Sequence, residues 1–378
     1  MRRIPFTALA LACAILLASA PTLGASKGPA AGKNVKAGVV ADLTGGASVY
    51  GVSQRNGYVL ANDDIKDGKL DAGGANLTFD VQDAATDANQ SVNLFQRFTT
   101  DGSAIVLGPT LSAEAFKSQP IAVRANVPVL ATSNTATGIT AQGPCVFRDS
   151  LAEEQVIPTT IKRTQARWKY KTAAIIYGDD NAFTKTDGDI FARELKSAGA
   201  TIVDTETFHI NDKDFQPALT RIESKHPDLL AIGALFPEAT KIIQQAGKLG
   251  IKVHMIGGNG LNSPEMYTVA GPAAQGTVVG AAWFSGAKYP QNLDFVKRYT
   301  AKYGKAPDQF AAQAYAAAEV VAQLVKGGAT TKDEMLAGLR NAKQFQTVLG
   351  PIGFDANRDV KSSPVILEIV KGGFSYFH

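Results

Sequence analysis

Cysteine is nearly absent: the 378-residue chain has two, Cys13 and Cys145. That excludes a disulfide-stapled scaffold. Histidine is almost as scarce, with four residues, His209, His226, His254 and His378, and no pair at metal-ligand spacing. No metal is expected. An excess of one charge sign is missing too. The 38 Lys and Arg are offset by 34 Asp and Glu for a formal charge of +4, dispersed along the chain. Such a balance gives no footprint for nucleic acid or an anionic membrane. After the first two dozen residues, no apolar run approaches the roughly 20 residues of a membrane-spanning helix.

The motifs of catalysis are also missing. The turn after the first expected strand, Asp42 to Ala47, lacks the glycine spacing of a dinucleotide site, as does Gly257–Gly258–Asn259–Gly260. No Walker A pattern occurs, and no serine stands in a nucleophile-elbow frame. Carboxylates are numerous, but spacing singles out no catalytic pair. The expectation is a protein that is not an enzyme and carries no cofactor.

What is present starts with an export signal. Arg2 and Arg3 precede an apolar run from Leu9 to Leu17, followed by small residues to Ala25. This is the three-part layout of a secretory leader. Pro21 disfavours cleavage directly after Ala20, which places the cut near Ala25. Cys13 sits inside the apolar core rather than at its end, so no lipid anchor is expected. Loss of Arg2 and Arg3, with no acid in the segment, takes the formal charge from +4 to 4 − 2 = +2. The exported chain keeps only Cys145, which reads as a small buried apolar residue.

With 45% hydrophobic and 19% charged residues, the remainder has ample material for a packed core, and its length suggests two domains. Apolar β-branched runs alternate with segments of helical period. Strands are expected near 35–43, 76–82, 104–107 and 128–131, with helices near 49–65, 88–100 and 113–124. The alternation then restarts, with strands near 172–177, 201–207, 229–234, 254–257 and 277–284, and helices at 183–198 and after Pro237. Gly250 closes the last of these. Helices near 292–303, 310–325 and 332–342 and strands near 346–349 and 365–370 form the tail. The pattern predicts an α/β protein with two doubly wound parallel-sheet lobes that the chain crosses repeatedly. A ligand is expected in the cleft facing the carboxyl ends of the strands.

Three strand-end loops are rich in small polar residues: Gly108 to Glu114, Ala131 to Thr135, and Gly257 to Leu261. The helix after Ser112 would aim free N–H groups and its positive dipole end at the cleft, which favours a carboxylate by about 0.3–1 kcal/mol. The plain alternative is an ordinary helix cap.

These segments, in order, resemble the leucine/isoleucine/valine-binding proteins, the type I periplasmic binding proteins of branched-chain amino acid importers. Those that carry the likeness are KAGVVADLTGGASVYG (36–51), residues 105–133, DDNAFTK (179–185), 237–250, IGGNGLNSP (256–264) and GPIGFDANRD (350–359). The resemblance implies a three-crossover hinge, a small-molecule ligand, permease subunits of an ABC importer as partners, a monomer and a periplasmic location. It divides the chain into a leader (1–25), lobe 1 (34–152 with 283–345) and lobe 2 (153–282 with 346–378). It places the ligand carboxylate on Ser112 and the neighbouring loop on Ser133 and Thr135. Tyr50 falls on an aromatic position, Phe183 on the tyrosine of the second lobe, and Leu235 with Phe236 on a further wall.

Two departures stand out. The family glutamate that holds the ligand ammonium falls on Asn259, and an ammonium enclosed without a carboxylate is costly. Glu153, where many members carry aspartate, is the expected substitute; the plain alternative is an exposed acid opening a helix. The ligand is therefore expected to be an amino acid, with an aromatic or aliphatic carboxylate or small amide as the alternative. A periplasmic sensor is the other role such a receptor fills. The cysteines that pair in some relatives fall on Ala85 and Leu111 and are absent together.

Overall fold

The computed structural model describes residues 28–378. The expected leader, 1–25 with Cys13, lies outside the described residues. No helix among them is long and apolar enough to cross a membrane.

The first lobe is built from β1 (Asn34–Ala41), α1 (Ser48–Lys66), β2 (Asn76–Asp83), α2 (Ala88–Thr100), β3 (Ile105–Leu107), α3 (Ser112–Arg124), β4 (Val129–Ala131) and β5 (Val146–Arg148). Its five strands are parallel in the order β2-β1-β3-β4-β5. Period-two alternation decides which side each strand residue feeds. Val39, Ile105, Leu107 and Leu130 enter one core, while Val40, Val106 and Val129 enter the other with Phe95 and Phe98 of α2.

The chain then crosses to the second lobe. This comprises α4 (Glu153–Trp168), β6 (Thr172–Gly178), α5 (Ala182–Ser197), β7 (Thr201–Phe208), α6 (Gln216–Glu223), β8 (Leu229–Gly233), α7 (Phe236–Lys248), β9 (His254–Gly257), α8 (Met266–Ala270) and β10 (Val278–Ala281). A second crossing brings α9 (Pro290–Tyr303), α10 (Gln309–Lys326), α11 (Lys332–Asn341) and the hairpin β11 (Phe345–Thr347)–β12 (Gly350–Ile352) back to lobe 1. A third returns β13 (Val365–Val370) and β14 (Gly373–Tyr376) to lobe 2 as antiparallel edge strands of a seven-stranded sheet ordered β14-β13-β10-β9-β8-β6-β7.

One expected boundary moves. Residues 346–360 do not belong with lobe 2: Val348, Ile352 and Val360 are buried in the lobe 1 core with Phe345. The cause is local. Gln323 on α10 accepts from the Gln346 N–H at 3.1 Å and donates to its carbonyl at 2.8 Å, pinning the hairpin to the helix. Asp359 then pairs with Arg148 of β5 at 2.7 Å. Helix α10 itself lies close on α1 because residue 57 is glycine; a Cβ there would collide with the Ala311 carbonyl. Cys145 is buried, as the sequence suggested.

Candidate functional site

The carboxyl ends of β1, β3 and β4 face those of β6, β8 and β9 across the gap between the lobes. The structure holds them closed. Tyr50, on the first turn of α1, donates its hydroxyl to the Gly260 carbonyl at 2.7 Å and accepts the Phe236 N–H at 2.7 Å, both in the other lobe. Its ring packs against that of Phe310, centroids 4.8 Å apart and planes tilted by 50°. Ala47, Tyr50 and Phe310 of lobe 1 form one apolar cluster with Phe183 and Leu235 of lobe 2. Burial pushes the Tyr50 hydroxyl well above its ordinary range, so it stays neutral and can both donate and accept.

Between these layers is a narrow cavity, with about 300 Å³ of empty space when its open mouth is counted. Tyr50, Ser112, Ser133, Thr135, Phe183, Leu235 and Asn259, all expected, line it together with Thr110, Leu111, Gly260 and Phe310.

On the lobe 1 side, Ser112 is the first residue of α3 and makes no capping bond; its hydroxyl instead accepts the Ala136 N–H at 3.3 Å. The ordinary-cap reading is thereby set aside. Opening at this point aims first-turn amides of α3 at the cavity. The neighbouring hydroxyls are tied to one side chain that spacing did not reveal. Gln54 of α1 accepts from the Thr110 hydroxyl at 2.6 Å and donates to Thr132 at 3.2 Å and Ser133 at 2.8 Å. A mid-helix glutamine carries no signal of this kind; only the buried run around it does. Phe310, on the first turn of α10, also lines the cavity.

Two expected residues do not line it. Phe236 packs against both the lobe 2 core and the apolar cluster of the cleft without lining the cavity, and its backbone N–H donates to Tyr50. Glu153 stands behind the wall, fully buried rather than exposed. Its Oε1 accepts from Thr135 Oγ1 at 3.1 Å in lobe 1 and from the Asn259 N–H at 3.0 Å in lobe 2, while Oε2 has no partner. Burial raises its pKa to about 7; the two hydrogen bonds and the Arg148 charge oppose that rise. Asn259 presents its amide in a fixed sense. The Ala282 N–H donates to Gln309 Oε1 at 3.0 Å, which leaves Gln309 Nε2 to donate to Asn259 Oδ1. The end of Asn259 left over is therefore the NH₂ group, a donor.

Folding also assembles a group at the lobe 2 rim that linear spacing hid. His209 Nδ1 lies 2.9 Å from Asp179 and 3.8 Å from Asp180, all three solvent-exposed, as in a surface ion pair.

Comparison with known proteins agrees with this architecture. The Leu/Ile/Val-binding protein BraC3 of Rhizobium johnstonii is 29% identical over 88% of this chain and 91% of its own length. Among solved structures, a leucine-binding protein of Thermotoga maritima superposes with a TM-score of 0.85 at 22% identity, covering 91% of this chain and 98% of that one. A solute-binding protein of an R. palustris ABC transporter, in complex with benzoate, gives 0.82 at 22% identity over 91% and 95%. At these identities the structures speak to the fold alone. The periplasmic binding protein family model matches residues 34–373, and the chain belongs to that family.

Proposed function

We propose that this chain is the non-catalytic, periplasmic solute-binding component of an ABC importer, and that its ligand is an aliphatic amino acid of the leucine, isoleucine and valine class. The observation that carries this reading is the composition of the cavity that Tyr50 helps to close between the lobes. Lobe 1 offers hydroxyls and a helix end suited to a carboxylate. Tyr50, Phe183, Leu235 and Phe310 surround the remaining space with apolar surface suited to a branched side chain. The leader at 1–25 delivers the chain to the periplasm, and the closed form, recognised by the permease, follows from a ligand that touches both lobes.

One observation favours a second ligand class. Asn259 offers a donor where an ammonium needs an acceptor, and the R. palustris relative of the same fold was solved with benzoate. A thermal-shift screen on protein refolded to remove carried-over ligand separates the two. At 100 times its dissociation constant a ligand adds about 2.7 kcal/mol, a readable shift. A shift with leucine, isoleucine or valine supports the amino acid reading; a shift confined to benzoate or other carboxylates without an ammonium refutes it.

A further inference from the structure

Asp187 lies on α5, one turn beyond Phe183, so it projects from the same helical face as a residue that lines the cavity. It is fully buried, and neither carboxylate oxygen has a hydrogen-bond partner. Its carboxylate stands against Gly258, where any Cβ would collide with Oδ2. A side chain at residue 258 would push the acid out of this position. Glu153 reaches the next residue from the other side, accepting the Asn259 N–H at 3.0 Å. Two carboxylates thus flank the Gly258–Asn259 peptide that walls the cavity. Burial and then the neighbouring Glu153 charge both push the Asp187 pKa well above the usual carboxylate range.

An unpaired buried carboxylate costs several kcal/mol and normally has a partner. Three acceptor atoms lack one here: Glu153 Oε2, Asp187 Oδ1 and Asp187 Oδ2. A primary ammonium brings three N–H donors and one positive charge. From this geometry we infer that Asp187 is a specificity-determining residue which, with Glu153, receives the ligand ammonium and replaces the acid missing at Asn259. This rests on the amino acid reading above and deepens it.

Access follows from the lobes. Glu153, Asp187 and Asn259 belong to lobe 2, whereas Thr135, which covers Glu153, belongs to lobe 1. Opening lifts Thr135 away from Glu153, and the ammonium reaches Asp187, which packs within lobe 2 against Gly233 and Gly258, past the Gly258–Asn259 peptide.

The test is isothermal titration of the refolded protein with L-leucine, L-isoleucine and L-valine, and with 4-methylpentanoate, which is leucine without its ammonium. In the unaltered protein at least one amino acid binds, with leucine at least thirtyfold tighter than 4-methylpentanoate. Asp187→Asn weakens amino acid binding at least tenfold and leaves 4-methylpentanoate within twofold. Glu153→Gln gives the same selective loss and, with Asp187→Ser, covers the case in which the asparagine variant misfolds. Amino acid affinity in the Asp187 variants within twofold of the original overturns this inference and leaves the amino acid reading standing. An unaltered protein that binds 4-methylpentanoate or benzoate but no amino acid overturns the reading itself, and the inference with it.

Discussion

The two walls of the cleft are built on opposite principles. On lobe 1, the hydroxyls of Thr110, Ser112, Ser133 and Thr135 are each engaged by a protein partner, and Gln54 anchors those of Thr110 and Ser133. On lobe 2, Phe183 and Leu235 present carbon, and the acids behind them, Glu153 and Asp187, retain unpartnered oxygens. Buried acids with unpartnered oxygens occur in both lobes, Asp42, Glu114 and Asp149 in lobe 1 and Glu153 and Asp187 in lobe 2, but it is Glu153 and Asp187 that flank the Gly258–Asn259 peptide at the cavity wall. A wall whose polar groups are satisfied is preorganised and changes little on binding. One with unpaired acids is waiting for charge from outside. On the amino acid reading proposed above, the anionic end of the ligand goes to lobe 1 and its cationic end to lobe 2.

Titration tests this contrast with the largest expected effect. Burial lifts Asp42 to about 6, Glu153 to about 7 and Glu114 to about 9. Each folded value lies above the unfolded carboxylate range, so the folded state holds protons that the unfolded state has lost. The contribution of these three acids to stability is therefore fully present below about pH 4 and is lost as pH climbs through 6 and on to 9. Urea midpoints of the ligand-free protein at pH 5 and pH 9 should show the drop. Leucine affinity should run the other way, rising with pH through about 7 as Glu153 ionises; a flat profile would break the assignment of lobe 2.

Next in size is Gln54→Leu, which strands the hydroxyls of Thr110, Thr132 and Ser133 in a buried site. A loss of about 2–4 kcal/mol is expected in urea melts, since each unsatisfied group costs about 1–3 kcal/mol and some of them retain other partners. Binding of both leucine and 4-methylpentanoate should weaken, because lobe 1 serves the end the two share.

Tyr50→Phe removes a hydroxyl that both donates and accepts across the lobes. Closure should weaken by about 1–3 kcal/mol, seen in small-angle scattering as a larger radius of gyration for the ligand-free variant. The smallest effect is expected from Ser112→Ala: a roughly 3- to 10-fold loss in affinity, about 0.5–1.5 kcal/mol, equal for leucine and 4-methylpentanoate.

Much of this fold is legible in the chain because strand runs such as Ala173–Ile176 and Leu229–Ile232 are continuous and apolar and the helices carry clear starts and stops. The segments not foreseen have weak local signals. Helix α4 opens on Glu153 and Glu154 and carries Pro158 in its interior, β5 is three residues long, and α6 spans eight. The hairpin at 345–352 packs on lobe 1 because its neighbour is set by Gln323, a tertiary contact invisible in local pattern. At the site, hydroxyl loops after strands point to Ser112, Ser133 and Thr135. Gln54 and Asp187 give no such signal, since each is a single polar residue within a helix whose burial only the packed lobes reveal.

A crystal structure of the refolded protein grown with L-leucine addresses the central claim most directly. The account predicts leucine enclosed between the lobes, its carboxylate on Ser112 and the first turn of α3, and its ammonium turned toward Glu153 and Asp187. Leucine bound outside the cleft, or with its ammonium on lobe 1, would contradict it.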